Sequence, residues 1–398
     1  MSSPPLRDLL LLFLFSTFFV CGASKPTSYP NKNGEQAKHK RASLNVLKTT
    51  VTDTQTIDWI SLDSQGEIAQ APPPRTPRNT PRPLAELELP GAELGPPGTV
   101  PVSRADPDYL AKASAKELPG TQSLKRQSSN AGVHWYVSSN QTVDNIGGSC
   151  VFSLFAPFTE RTADFSLLQT AVTRQNVLWT GGRGPPTPIT QTVEAGWINF
   201  IDQVAQPHLF TFYTTNGYIR DGDNQGGWNT EHTGWVQVDP TIHPGSVFTP
   251  LSTDGGAQNN LKIEYALFQD HWWLGVEDRW IGYYPASLFS SISSDPASTT
   301  LAGGSDSIHY YGEVFNSEET LTTTDMGSGQ FANTGYGHAG YILNMTYTNT
   351  NNVSTPYNAV FTDTDVTRYT HEAHLLSGTD MGSYAFIGGP GAGGVVGG

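Results

Sequence analysis

From Val133 onward, apolar and polar residues alternate in short runs, and apolar positions do not recur at helical spacing. The runs are Val133–Val137, Gln191–Ile201, Leu209–Thr215, Gly234–Val238, Leu261–Gln269, Trp272–Val276, Trp280–Tyr284, Ser307–Val314, Gly337–Tyr347 and Tyr384–Ile387. Turn signals such as Asn216-Gly217, Asp221-Gly222 and Asp254-Gly255 separate them. A period of two predicts strands whose side chains point alternately to two faces. The one helical signal is a short turn at Pro285–Ile292. Many short strands joined by Gly-rich turns predict an all-β protein, an antiparallel β-sandwich or a barrel.

The first third reads differently. Arg7, the apolar run Leu9–Val20 and the small residues around Cys21-Gly22-Ala23 form a secretory signal, too short to span a bilayer comfortably. Thr49–Gln70 alternates enough for a strand pair, with Ser64-Gln65-Gly66 as its turn. Ala71–Pro101 is expected to hold no regular structure, because proline fixes φ and removes a donor. Two dibasic pairs follow the pattern of secretory processing by furin-like or kexin-like proteases: Lys40-Arg41, and Lys125-Arg126 at the point where composition changes. The predicted organisation is a signal peptide at 1–23, a short, partly disordered propeptide with a Pro-rich linker at 24–126, and a β domain at 127–398.

Charge sharpens that boundary. Residues 1–126 carry 15 Lys and Arg against 12 Asp and Glu, a net +3, and residues 127–398 carry 7 against 24, a net −17. An acidic surface repels phosphate, so nucleic acid is not an expected partner, and no membrane contact is expected once the signal is removed. The acidity suits an acidic medium, and it equally serves plain solubility. Gly 41 and Pro 28 in 398 residues exclude a long helical protein. Of the two cysteines, Cys21 leaves with the signal, so Cys150 has no intrachain partner. Asn140, Asn344 and Asn352 each begin an N-glycosylation triplet, consistent with export to the extracellular space.

The chain has no HExxH, GxSxG, P-loop or paired CxxC signature, so neither metal nor cofactor is expected. GYGHAG at 335–340 and GPGAGG at 389–394 open no helix and read as β turns, and His371 and His374 read as polar edge residues. Carboxylates are the remaining chemistry. A pair can hydrolyse without metal when one takes a proton from water and the other donates to the leaving group. Glu194 in QTVEAGWI and Glu313 in HYYGEVF stand in apolar β segments, where a charge is costly unless it faces a cleft or a partner. Alternation places Thr192 and Gly196 on the Glu194 face, and Tyr311 and Phe315 on the Glu313 face. The small residues Ala195, Gly196 and Gly312 are expected to leave room for a substrate backbone. From the residues alone, a strand-edge or salt-bridge role for either glutamate stays open.

The segments EAGW at 194–197, LFTFYTTNG at 209–217, GWVQ at 234–237, HWWL at 271–274, IGYYPASLF at 281–289, GEV at 312–314, DMGSGQF at 325–331, GYGHAGY at 335–341 and GGPG at 388–391 follow one another as in neprosin-domain proteins. The chain resembles that family of secreted glutamic peptidases over about residues 130–391. The resemblance implies a β-sandwich, acid-active endopeptidase chemistry favouring cleavage after proline, proline-rich protein or peptide substrates, and synthesis as a zymogen. It places the catalytic carboxylates at Glu194 and Glu313. Tyr311 and Gln237 are candidates for oxyanion contact. Trp197, with Trp235, Trp272, Trp273 and Trp280, is a candidate for a proline-binding wall, with packing in the core as the other reading. The family's cysteines around 209–237 are absent. A non-catalytic carbohydrate- or cell-wall-binding sandwich is the alternative, and a glycosidase would use a similar carboxylate pair.

Overall fold

The computed structural model describes residues 44–73, 94–104, 119, 132–179, 185–218 and 226–398. The signal run with Cys21, both dibasic pairs, most of the Pro-rich linker and the Asp221-Gly222 turn lie outside the described residues. Among the described residues, no helix is long and apolar enough to cross a membrane.

Strands β1 (Val46–Val51), β2 (Thr56–Ser61) and β3 (Thr99–Ser103) form a separate antiparallel sheet. The expected strand pair exists, but Ser64-Gln65-Gly66 is not its turn. The chain reverses at Thr52–Gln55, where the Thr52 hydroxyl donates to the Gln55 carbonyl, and Leu62–Gln65 forms a single 3-10 turn after β2. The end of the supposedly structureless stretch is also paired. Thr99–Ser103 lies along β2 with Pro101 opposite Trp59, on an edge strand where a missing N–H is tolerated.

The large sheet is all antiparallel and curls over an apolar interior as the predicted sandwich. Its strands are β4 (Val133–Ser153), β5 (Phe165–Trp179), β6 (Thr187–Phe200), β7 (Val204–Thr214), β8 (Gly226–Trp228), β9 (Val236–Gln237), β10 (Asn260–Phe268), β11 (His271–Val276), β12 (Arg279–Pro285) and β13 (Ser305–Asn316). They pair in the order β8-β7-β6-β5-β13-β4-β10-β11-β12-β9. Further strands β14 (Gly340–Asn349), β15 (Ser354–Pro356), β16 (Phe361–Asp363), β17 (Thr370–His374) and β18 (Tyr384–Gly388) join through β4 and β14.

Strand β4 has 21 residues and binds both halves together: it pairs with β13 from Val133 to Asn145, and with β10 and β14 further along. One face of these strands supplies the main core, including Val137 and Phe152 of β4, Leu168 and Val172 of β5, Trp197 of β6 and Trp272 of β11. Each fully buried aliphatic or aromatic side chain contributes about 1.5–3 kcal/mol relative to exposure. With Cys150 buried and unbridged, this burial carries the domain.

Five buried ionisable groups shape how that stability responds to acid. Burial pushes His208, His243 and His309 down from 6.5 to about 4. Burial pushes the carboxyls of Glu277 and Asp325 up, from 4.5 to about 7 and from 3.8 to about 6. Below pH 6.5 the unfolded chain takes up histidine protons that the folded chain refuses, so stability falls between pH 6.5 and 4. The two carboxyls act oppositely: the folded chain takes up their protons first, so stability rises as pH falls from 7 toward 4. Replacing Glu277 with Gln removes one compensating group, so the drop in Tm from pH 7 to pH 4 becomes larger than in the wild type. Thermal scans at the two pH values measure this, and an unchanged drop would show that Glu277 ionises normally.

Candidate active site

The face of β7, β6, β5, β13 and β4 opposite the main core carries the polar chemistry. Register alone sets out its layout. Glu194 on β6 lies opposite Ala171 on β5, and Gly196 lies opposite Gln169. Across β5, Gln169 lies opposite Tyr311 of β13, and Leu167 lies opposite Glu313. Glu313 in turn lies opposite Tyr136 of β4. The two glutamates are therefore two strands apart on one diagonal, with Gln169 between them. Phe165, Leu167, Ile198, Phe212, Trp228 and Phe315 form an apolar cluster on the same face.

Glu194 is completely buried and receives four donors. The Gln169 amide donates to Oε2 at 2.7 Å and the Tyr311 hydroxyl to the same oxygen at 3.1 Å. The Thr192 hydroxyl donates to Oε1 at 2.8 Å and the Tyr218 hydroxyl at 2.6 Å. Donors on every side suit an ionised carboxylate, which only accepts. Burial, then the neighbouring Glu194, holds both tyrosine hydroxyls well above their usual range, so they stay protonated donors. Glu313, also without exposed surface, has Oε1 2.6 Å from His134 Nδ1, and His134 itself is buried. Its imidazole packs against Phe315 at 4.9 Å between ring centroids and stacks over Tyr136 at 6.1 Å.

Glu194, Glu313 and Tyr311 thus come together, with Thr192 on the predicted face. Gln237 does not join them. It lies on β9 at the far end of the sheet, its amide donating to the carbonyls of Asp239 and Ile242. Trp197 points away from Glu194 into the main core, where its indole donates to the Ser153 carbonyl, because an odd offset along a strand reverses the face. Trp272 is likewise core. Ala195 and Gly312 also face the interior: a Cβ on Gly312 would meet Met326 Sδ at 2.8 Å, so this glycine admits the opposite layer and not a substrate. A Cβ on Gly196 would sit 2.0 Å from the Leu168 carbonyl oxygen, so this glycine serves close approach of β5 to β6.

Gln169, His134 and Tyr218 were not singled out by sequence. Gln169 sits in a segment that reads as no strand, and His134 begins a strand 179 residues before its partner. Tyr218 immediately follows Asn216-Gly217 and reaches Glu194 only because the chain turns there with φ 64°. Of the glycosylation triplets, Asn352 lies in an exposed turn, and Asn140 is exposed with its Oδ1 accepting from Ser307. Asn344 is half-buried, with its amide facing the carbonyls of Asp380 and Met381.

The neprosin family model matches residues 162–390, and the chain belongs to the neprosin family, a family of glutamic peptidases. The match spans the strands that carry both glutamates. Two solved structures are similar at 8% identity, each aligned over 66% of this chain and 98% of its own: scytalido-glutamic peptidase with a peptide-based transition-state analogue, at a TM-score of 0.33, and SCP-B, of the eqolisin family of peptidases, with the tripeptide Ala-Ile-His, at 0.29.

The His134–Glu313 contact is testable without any substrate. Removing one partner of a buried hydrogen bond typically costs about 1–3 kcal/mol, because the other is left unsatisfied. His134→Phe is expected to destabilise by that order, and adding Glu313→Gln to the same chain is expected to restore part of the loss. Urea unfolding of the four variants of the cycle measures the coupling, and strictly additive losses would show that the two residues do not interact.

Proposed function

We propose that the protein is a secreted, acid-active endopeptidase, made as a zymogen, that cleaves after proline by activating water with Glu194 and Glu313. The observation that carries this reading is the convergence of two carboxylates, far apart in sequence and both fully buried, on one sheet face around Gln169 and Tyr311. Nothing in ordinary sheet packing favours two acids there, since burying a charge is costly unless its environment is built to receive it. Perturbed or buried carboxylates grouped in this way mark functional sites.

In this mechanism the pair begins with one proton between them. The ionised carboxylate takes a proton from water as the water oxygen attacks the amide carbon. The protonated partner gives its proton to the leaving nitrogen as the C–N bond breaks. The products are an acid and an amine, and proton exchange resets the pair. A requirement for one shared proton explains an acid optimum. In this reading the Tyr311 hydroxyl, which donates to Glu194, would turn to the developing oxyanion.

Closure of the site supports synthesis as a zymogen. Both carboxylates lack exposed surface in the full-length chain, and Tyr218 lies directly on Glu194. The N-terminal sheet is held to the β domain by neutral hydrogen bonds, among them Gln55 to the Gly245 carbonyl and Ser103 to the Pro244 carbonyl. Cutting after Arg126 would release it. Attraction between the +3 segment and the −17 domain would weaken on acidification, acting through the long-range field and not through these bonds. Export with glycans at the Asn140, Asn344 and Asn352 triplets, cutting by a furin- or kexin-like protease, and proline-rich substrates complete the proposal.

Purified secreted material acting on a proline-rich protein across acid to neutral pH tests it, with products mapped by mass spectrometry. Glu194→Gln and Glu313→Gln are each expected to lower kcat by about 10²–10⁴-fold. Absence of cleavage by folded, processed wild type would sink the peptidase reading and favour a binding sandwich. A Lys125→Ala, Arg126→Ala precursor is expected to stay inactive, and full activity at neutral pH would rule out the zymogen.

A further inference from the structure

The end of the large sheet is finished by a glutamine side chain. Strand β9 pairs with β12 on one side only. On its other side the Gln237 N–H donates to Gln65 Oε1 at 2.9 Å, and Gln65 Nε2 donates to the Gln237 carbonyl at 2.7 Å. The primary amide of Gln65 thus takes the place of a peptide group in a neighbouring strand. The chain then runs on from the N-terminal sheet, and the Ala69 N–H donates to the Tyr283 hydroxyl at 3.1 Å. In this segment Gly66, Glu67, Gln70 and Pro73 are exposed, while Pro72 is buried.

The surface beneath is aromatic and lies outside the main core. Trp272 and Leu274 of β11 belong to that core, so Trp273 between them faces the other way. Its ring is 4.6 Å from Tyr283 and 6.5 Å from Trp280, and His271 meets Tyr283 edge-on at 4.6 Å. Trp273 and Tyr283 are nonetheless buried, at 0% and 2% exposed. Removing the N-terminal region would leave an unpaired strand edge beside an aromatic face, the two elements by which extended peptides are recognised.

We propose that, after the N-terminal region is removed, this surface is a second substrate-binding site. It would take extended, glutamine-bearing segments of protein substrates, with residues 65–69 as its built-in occupant. The inference rests on the peptidase reading above. Two properties select that chemistry. The Gln237 edge needs a group that donates and accepts in parallel, which a primary amide or a main-chain peptide supplies. A domain of net −17 disfavours acidic segments. The site is remote from Glu194 and Glu313 in strand order, so a long substrate can reach both while a short peptide engages the catalytic face alone.

The test uses the full-length chain, secreted and processed, and a synthetic peptide of residues 63–73. Labelled peptide is expected to bind processed Glu194→Gln enzyme, and its Gln65→Ala form to bind about 3–10-fold more weakly, as for loss of a neutral hydrogen-bond pair. The peptide is expected to raise the apparent KM for a proline-rich protein and leave cleavage of a short chromogenic peptide unchanged. Tyr283→Phe enzyme is expected to show the same split, with KM for the protein raised about 3–10-fold. Equal inhibition of both substrates, absence of binding, or retention of the cut N-terminal fragment on the domain would each overturn the proposal. Peptide binding without cleavage of any substrate would instead count against the peptidase reading and leave the site standing.

Discussion

The demand that two buried carboxylates be satisfied organises the candidate active face. An ionised carboxylate left without partners in an apolar sheet costs several kcal/mol, a large share of a domain's net stability of roughly 5–15 kcal/mol. The groups that meet the two glutamates are set by different strands: at Glu194, Gln169 from β5, Thr192 from β6, Tyr311 from β13 and Tyr218 from the turn after β7, and at Glu313, His134 from β4. None of these donors belongs to the N-terminal sheet. The face is held by the β domain's own strands.

Much of this was legible in the alternation of residues, and the parts that were not share a physical reason. Strands with one polar face, such as β6 and β13, show a period of two and place Thr192 and Tyr311 correctly beside the glutamates. Strand β5 does not: FSLLQTAVT mixes apolar and polar residues on each face, Phe165, Leu167 and Gln169 on one and Ser166, Leu168 and Thr170 on the other, so its sequence lacks the contrast on which periodicity depends. Gln169 hides in that run and became visible only through pairing. Gln237 and Trp197 stand in motif segments, yet a motif says nothing about which face a side chain takes; alternation from Glu194 would have turned Trp197 inward. The reversal at Thr52–Gln55 carries no glycine, whereas Ser64-Gln65-Gly66 offers one, and the side-chain bonds of Thr52 decide the matter.

The N-terminal segment combines two kinds of attachment. Its sheet has a small apolar cluster of its own, Ile60, Val100 and Val102, so it holds shape without borrowing the domain's core. Its links to the domain include neutral hydrogen bonds, paired at Gln237 and otherwise spread over Gly245, Pro244, Thr230 and Tyr283. A module built this way stays docked while covalently connected, since the tether keeps its effective concentration high, and loses that advantage once the connection is cut.

Strand β4 has a consequence of another kind. Its residues alternate between the catalytic face, through His134 and Tyr136, and the interior, through Val137 and Phe152, while its length pairs it with β13, β10, β14 and β16. A slip of one residue would turn every one of these side chains to the wrong side at once. Errors in this strand are therefore not graded. A chain that has misaligned β4 has neither a packed interior nor a partner for Glu313, so a soluble but subtly misfolded population with weakened chemistry has no structural route to exist. The contacts are also long in sequence, which makes reaching the correct register slow. With Cys150 unbridged among the described residues, the same shared strand that is slow to seat must be displaced as a whole before the sandwich can open, and the domain's persistence becomes a matter of rate.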